Sequence, residues 1–282
     1  MKNTQRTRFG VKSQACLAAV SALVLAAPSP ALAAPAKLTD SNSSLVINPT
    51  SDQLMTTWLV DGVSQLVLQS FYLRVGSVGG ESALSTLPLI SQSQPTANTL
   101  NVLYGNAMFS IETSYSLVGG SSGSGVSSVS EQVKITNLSG SALDFHFFQY
   151  ADFDLAGSSA NDTVQLGKNI QGFYNEALQF KPSNLGTVDT VLTSGANHGQ
   201  VSSFPTILNS LNDGAPTTLN DNSGPMTGDA TWAFQWDRLI AAGDSFIIGI
   251  DKNLYLVPIP EPSIFALGAL GAAFMAMKRR NR

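Results

Sequence analysis

The sequence holds little with which to build covalent or metal–thiolate chemistry. Of its 282 residues one is cysteine, Cys16, and it lies in the first segment of the chain. The rest therefore has no disulfide, no thiolate nucleophile and no thiolate metal site. Histidine is almost as scarce, at two residues, His146 and His198, so a zinc site would have to lean on carboxylates. Basic residues are also sparse once the ends are set aside. Between residues 34 and 257 seven Lys/Arg stand against eighteen Asp/Glu, a surplus of eleven negative charges. The whole-chain value of −4 conceals this, because eight of the fifteen basic residues sit in the two ends. Such an acidic body argues against a nucleic-acid partner, whose binding is dominated by Lys/Arg contacts to phosphate. It fits a soluble extracellular protein or one that binds cations such as calcium. There is no H-E-x-x-H and no phosphate loop, and the G-x-S-x-G string at residues 119–123 leads into a strand and so is no nucleophile elbow. The glycine-rich stretch 119–125 lacks the closing Gly-Lys-Ser/Thr and precedes a strand. No fixed-period repeat is present, which weighs against a solenoid. From these absences we expect a body without enzymatic activity and without an obligatory cofactor.

What is present begins with the two ends. Lys2, Arg6, Arg8 and Lys12 form a positive leader, residues 15–27 are largely apolar, and Ala31 and Ala33 stand as an A-x-A cleavage site. This order is that of a secretory signal peptide over residues 1–33, read by the Sec translocon and removed. Its apolar run is shorter than the roughly 20 residues that a membrane-spanning helix needs. At the other end residues 264–277 are an apolar, Gly- and Ala-rich run closed by Lys278, Arg279, Arg280 and Arg282. Positive residues beside a hydrophobic span stay on the cytoplasmic side, so the body is expected on the far side. As a helix this run rises only about 21 Å, against a hydrocarbon core about 30 Å thick. A marginal span of this kind suits a transient anchor in the inner membrane.

Immediately before that run stand Pro260, Glu261, Pro262 and Ser263. The triad, the short hydrophobic helix and the basic terminus, in this order, resemble the PEP-CTERM sorting signal over residues 258–282. The resemblance implies a Gram-negative host and export. It also implies processing near the triad by exosortase, delivery to the cell surface or matrix, and an association with extracellular polysaccharide and biofilm. It implies an address and leaves the activity of the body open.

The body, residues 34–257, reads as all-β: an antiparallel β-sandwich-like domain with long loops, set between the signal helix and the hydrophobic tail helix. Ser, Thr, Gly, Asn and Val abound, and no long segment has helical periodicity, whereas alternation is frequent. Strands are expected at residues 44–48, 55–60, 65–75, 99–104, 107–118, 126–137, 143–154, 172–180, 187–192, 231–237 and 245–257. The loop 119–125 is expected to be flexible and exposed. Residues 194–228 read as a long irregular insertion with one short helix at 204–211.

Two strands carry candidate sites. Along residues 144–154 alternation puts Phe145, Phe147, Gln149, Ala151 and Phe153 on one face, and Asp144, His146, Phe148, Tyr150, Asp152 and Asp154 on the other. The second face could bind sugar, with rings as platforms and polar groups for hydroxyls. It could instead bind calcium through Asp152, Asp154 and Asp162, or simply lie under covering loops. Trp232, Phe234 and Trp236 form a second aromatic stripe, with core packing and a carbohydrate platform as its two readings. An extracellular polysaccharide is thus one partner the body could take, and a hydrolase using Asp152 or Asp154 a more distant alternative.

Overall fold

A computed structural model describes residues 34–181 and 185–256. The sequence assignments at Ala31, Ala33, Pro260, Glu261, Pro262, Ser263, Lys278, Arg279, Arg280 and Arg282 lie outside the described residues. Among the described residues no helix is long and apolar enough to cross a membrane.

The chain runs through β1 (Ala36–Asp40), β2 (Ser43–Ile47), β3 (Met55–Val60), β4 (Val63–Ser64), β5 (Leu66–Val75), β6 (Ser82–Ala83), β7 (Leu89–Thr96), β8 (Thr99–Gly105) and β9 (Phe109–Gly119). It continues through β10 (Ser127–Asn137), β11 (Leu143–Phe153), β12 (Asp162–Lys168), β13 (Tyr174–Lys181), β14 (Leu185–Thr193), β15 (His198–Ser203), a short helix α1 (Thr206–Leu211), β16 (Met226–Gly228), β17 (Ala230–Ile240) and β18 (Ser245–Leu256). Two antiparallel sheets result. The first has the order β1-β2-β3-β5-β11-β17-β15, with β4 paired to β3 and β6 to β5. The second has the order β16-β12-β13-β14-β18-β10-β9-β8-β7. The all-β sandwich expected from alternation is the architecture observed, and each expected strand has a counterpart. Of the longer strands not anticipated, β1, β7 and β15 end their sheets. An edge strand needs less apolar alternation, and β7 carries Pro95, which edges tolerate.

The inward faces interdigitate as one core. From β11 come Phe145, Phe147, Ala151 and Phe153, and from β17 Trp232, Phe234 and Trp236. Phe109 of β9 meets Phe145 across the sandwich at 5.1 Å, edge to face. The Trp58 indole nitrogen donates to the Ser127 hydroxyl at 3.1 Å, tying β3 to β10 between the sheets.

The opposite face of β11 is not open either. Phe148 and Tyr150 pack with Leu68, Tyr72, Ala233, Ile207, Leu211 and Leu219 in a second, smaller cluster. Its cover is the segment expected to be an irregular insertion. Ile207 and Leu211 of α1 supply the apolar side, and the Leu219 amide donates to Gln235 Oε1 at 2.9 Å.

The loop 119–125 is exposed at its tip as expected, but it is held by hydrogen bonds. Asp61 accepts from the Gly123 and Gly125 amides at 2.6 and 2.8 Å. Asp40 accepts from Gly119 at 2.8 Å and Asn42 from Gly120 at 2.9 Å. The Gly123 and Gly125 amides hold the Asp61 carboxyl below its usual pKa. The glycines permit a close approach: a Cβ on Gly119 would lie 2.1 Å from the Asp40 carbonyl oxygen.

Candidate functional site

The site is built where β11 ends beside the start of β17. The two strands pair antiparallel, with Ala151 opposite Trp232. Continued past the ladder, that register carries Asp154 toward Asp229. Asp152 shares the outward face with Asp154 because the two stand two positions apart along the chain. The result is a cluster of Asp152, Asp154 and Asp229, whose nearest oxygens lie within 4.8 Å of one another. Asp152 is buried, Asp154 half-buried and Asp229 exposed.

The turn after β11 is held from several sides. The Ala156 amide donates to Gln65 Oε1 at 2.8 Å, and the Leu155 amide donates to Asp162 Oδ2 at 3.3 Å. Lys181 donates to the Leu155 carbonyl at 2.8 Å and also to that of Ser158. Asp162 is therefore not in the cluster, contrary to expectation. Its carboxylate lies 3.4 Å from the Lys181 ammonium and accepts from Gln179 at 3.2 Å. It braces the turn from behind, and Asp229 takes the third place.

Asp152, Asp154 and Asp229 border a cavity of about 330 Å³ also lined by Gln53, Val67, Leu68, Ser159, Phe204 and Leu208. The Phe204 ring is 44% exposed there. Burial, followed by the charges of Asp154, Asp229 and Asp162, pushes the Asp152 carboxyl from 3.8 up to about 7. Asp154 is raised by burial and by Asp229, with Lys181 acting against both. Asp162 is raised by burial to about 6, against the pull of Lys181. Chemically, such a group can hold a proton near neutrality or enclose a hard cation. Its oxygens stand closer than the roughly 6.5–9.5 Å that inverting glycosidases leave for a water.

His146 does not join this cluster. It lies six residues back along β11, about 20 Å at strand spacing, and faces Asp237 across the ladder. His146 Nδ1 is 2.5 Å from Asp237 Oδ1, and its Nε2 is 3.5 Å from Asp144. The second histidine converges on the same carboxylate: His198 Nε2 is 3.6 Å from Asp237 Oδ2, while its Nδ1 lies 3.0 Å from Asp221. Both histidines thus clasp β11, β17, β15 and the covering segment together. Tyr150 is buried in the second cluster and presents no surface ring, and burial raises its hydroxyl pKa. Trp232 and Trp236, at 1% and 0% exposure, belong to the core. The Trp236 indole donates to the Ser194 carbonyl at 2.5 Å. The carbohydrate-platform reading of that stripe is therefore corrected in favour of core packing.

Asp229 and Phe204 were not among the sequence candidates. Phe204 carries no periodic signal. Asp229 could have been found only by aligning β11 and β17 in register, which needs the tertiary pairing.

No family model matches the chain, and no curated protein does. Solved structures are similar in fold. A bacterial glucoamylase complexed with acarbose aligns with a TM-score of 0.56 at 11% identity, over 86% of this chain and 35% of the glucoamylase. This chain thus spans about a third of that enzyme's length. A candidate aldose 1-epimerase from Escherichia coli K12 aligns with a TM-score of 0.55 at 10% identity, over 79% of this chain and 99% of its own. A C. elegans aldose epimerase homologue gives 0.50 at 7% identity, over 80% and 99%. At these identities the likeness is one of fold. It corrects the expectation of a body without enzymatic activity. The sandwich is an architecture found within a glucoamylase and across epimerase-type chains, so the missing motifs do not set this body apart from carbohydrate enzymes.

Proposed function

We propose that the chain is an exported carbohydrate-active protein that acts on extracellular saccharide at the cavity beside Asp152. The observation that carries this reading is the meeting, in one cavity, of a half-exposed aromatic ring, Phe204, with the carboxylates of Asp152, Asp154 and Asp229. A sugar has an apolar C–H face that suits a ring and a hydroxyl rim that suits charged acceptors. The cavity's size falls at the lower end of the range for small-molecule sites, about 300–1,000 Å³. The fold's likeness to a glucoamylase and to epimerase-type proteins supports the same substrate class. The test is a panel of neutral mono- and oligosaccharides, assayed for binding by calorimetry and for conversion by product analysis. Phe204→Ala should weaken binding or turnover about tenfold or more with unchanged thermal stability. If no saccharide binds or reacts at millimolar concentration, the reading fails.

The ends support an address for this activity. The leader points to passage through the Sec translocon, and the tail's resemblance to the PEP-CTERM signal points to a transient hold in the inner membrane and processing by exosortase near Pro260-Glu261-Pro262. Delivery to the surface or matrix of a Gram-negative cell follows, beside exopolysaccharide and in the setting of a biofilm. Deleting the triad should leave the tail uncleaved in an exosortase-positive host. Equal tail retention with and without exosortase removes this part of the proposal.

A further inference from the structure

We propose that Asp152, Asp154 and Asp229 form a binding site for a hard divalent cation of the calcium class. The proposal goes beyond the saccharide reading and stands without it. Oxygens on one calcium ion sit about 2.3–2.6 Å from it, so two ligands can be no more than about 5 Å apart. The nearest oxygens of all three carboxylates satisfy that limit, lying within 4.8 Å of one another.

A second observation points to a ligand. Asp152 is 4% exposed, lines the cavity, and its Oδ1 accepts no hydrogen bond among the described residues. A buried carboxylate oxygen without a partner is uncommon in folded proteins, and here it stands among like charges. The neighbouring ammonium does not supply the missing partner. Lys181 is turned to Asp162 at 3.4 Å and to the Leu155 carbonyl at 2.8 Å. Lys181 and Asp162 thus complete one another, while the other three carboxylates face the cavity.

The surroundings fit calcium better than magnesium. The ligands come from the end of β11, from the turn after it and from the residue before β17, so their directions are set by separate pieces of backbone. Calcium accepts such irregular sets of six to eight oxygens, whereas magnesium demands a near-ideal octahedron. Ser159 and Gln53 line the same cavity and offer neutral oxygens. Water occupying the remaining volume would complete the shell.

The experiment uses the full-length protein stripped with EDTA and titrated with calcium chloride by calorimetry, with thermal unfolding followed in parallel. One ion per chain is expected, with a rise in Tm at saturating calcium. Asp229→Asn and Asp154→Asn should each lower the affinity about tenfold or more. Asp229 is exposed and stands among like charges, so its variant should unfold in EDTA at no lower a temperature than the parent, which separates loss of binding from loss of fold. Absence of calcium binding in the millimolar range overturns the proposal. So does binding that survives unchanged in both variants. Because the probe is the metal alone, failure to find a saccharide leaves this result untouched, and the converse also holds.

Discussion

Removing the ammonium of Lys252 should cost this protein a large part of its stability. Lys252 on β18 and Glu131 on β10 both point into the sandwich, with side chains at 0% exposure and Nζ 3.8 Å from Oε1. Glu131 Oε2 accepts from Gln69 at 2.8 Å, and Gln69 Oε1 accepts from Gln149 at 3.3 Å. The polar chain thus crosses from one sheet to the other. Lys252 also stands 5.5 Å from the centre of the Trp232 ring. Two unit charges at this separation attract by about 4 kcal/mol at an effective dielectric constant of 20. Breaking a buried pair by removing one member typically costs about 3–5 kcal/mol, because the other charge is left uncompensated. Against a total stability of about 5–15 kcal/mol, Lys252→Met alone should bring the fold close to its limit. Glu131→Gln should cost a comparable amount. The double variant leaves neither charge of this pair behind, so its loss should fall short of the summed single losses by about 2 kcal/mol or more. Urea unfolding followed by tryptophan fluorescence, with linear extrapolation, measures all three. Single losses below about 1 kcal/mol, or strict additivity, would refute the claim that the two charges depend on each other.

Three further outcomes are expected. In chelator, stability should fall as pH rises from about 4 to about 7. Asp152 and Asp162 hold their protons more tightly folded, at about 7 and about 6, than at the usual carboxylate value, so the unfolded chain ionises first; Asp152→Asn should flatten the upper part of that fall, and a profile unaffected by the substitution refutes the assignment. Trp236→Ala should cost about 3–5 kcal/mol as a cavity in the core, measured by urea midpoint; a neutral result would return this ring to the surface. Gly119→Ala should cost about 1–3 kcal/mol through overpacking against the Asp40 carbonyl, and an unchanged Tm would show that the loop is not held there.

Parts of this structure were legible locally. The split of β11 into two faces follows from alternation alone, and the structure places Phe145, Phe147 and Phe153 together in the core as expected. The same rule put Asp152 and Asp154 on a common face. What alternation cannot state is what covers a face. The side bearing Phe148 and Tyr150 reads as mixed, either open to a ligand or lying under loops, and it is the second that holds: a segment some sixty residues later folds over it with Ile207, Leu211 and Leu219. The Trp232–Trp236 stripe has the same period whether it points to solvent or to the opposite sheet. Asp162 looked like a third ligand because it is near in sequence, whereas Lys181 claims it in space.

The sequence by itself determined the class of secondary structure, the acidic and cysteine-free character of the body and the faces of its central strands. These depend on composition, order and a two-residue period, all of them local. Only the tertiary structure decided that Asp229 completes the carboxylate cluster, that Phe204 borders its cavity, that both histidines meet at Asp237 and that Lys252 and Glu131 share the core. Each of these joins residues through strand register or sheet-on-sheet packing. Register and packing are settled by the burial of whole faces against one another, and no local window of the chain contains that information.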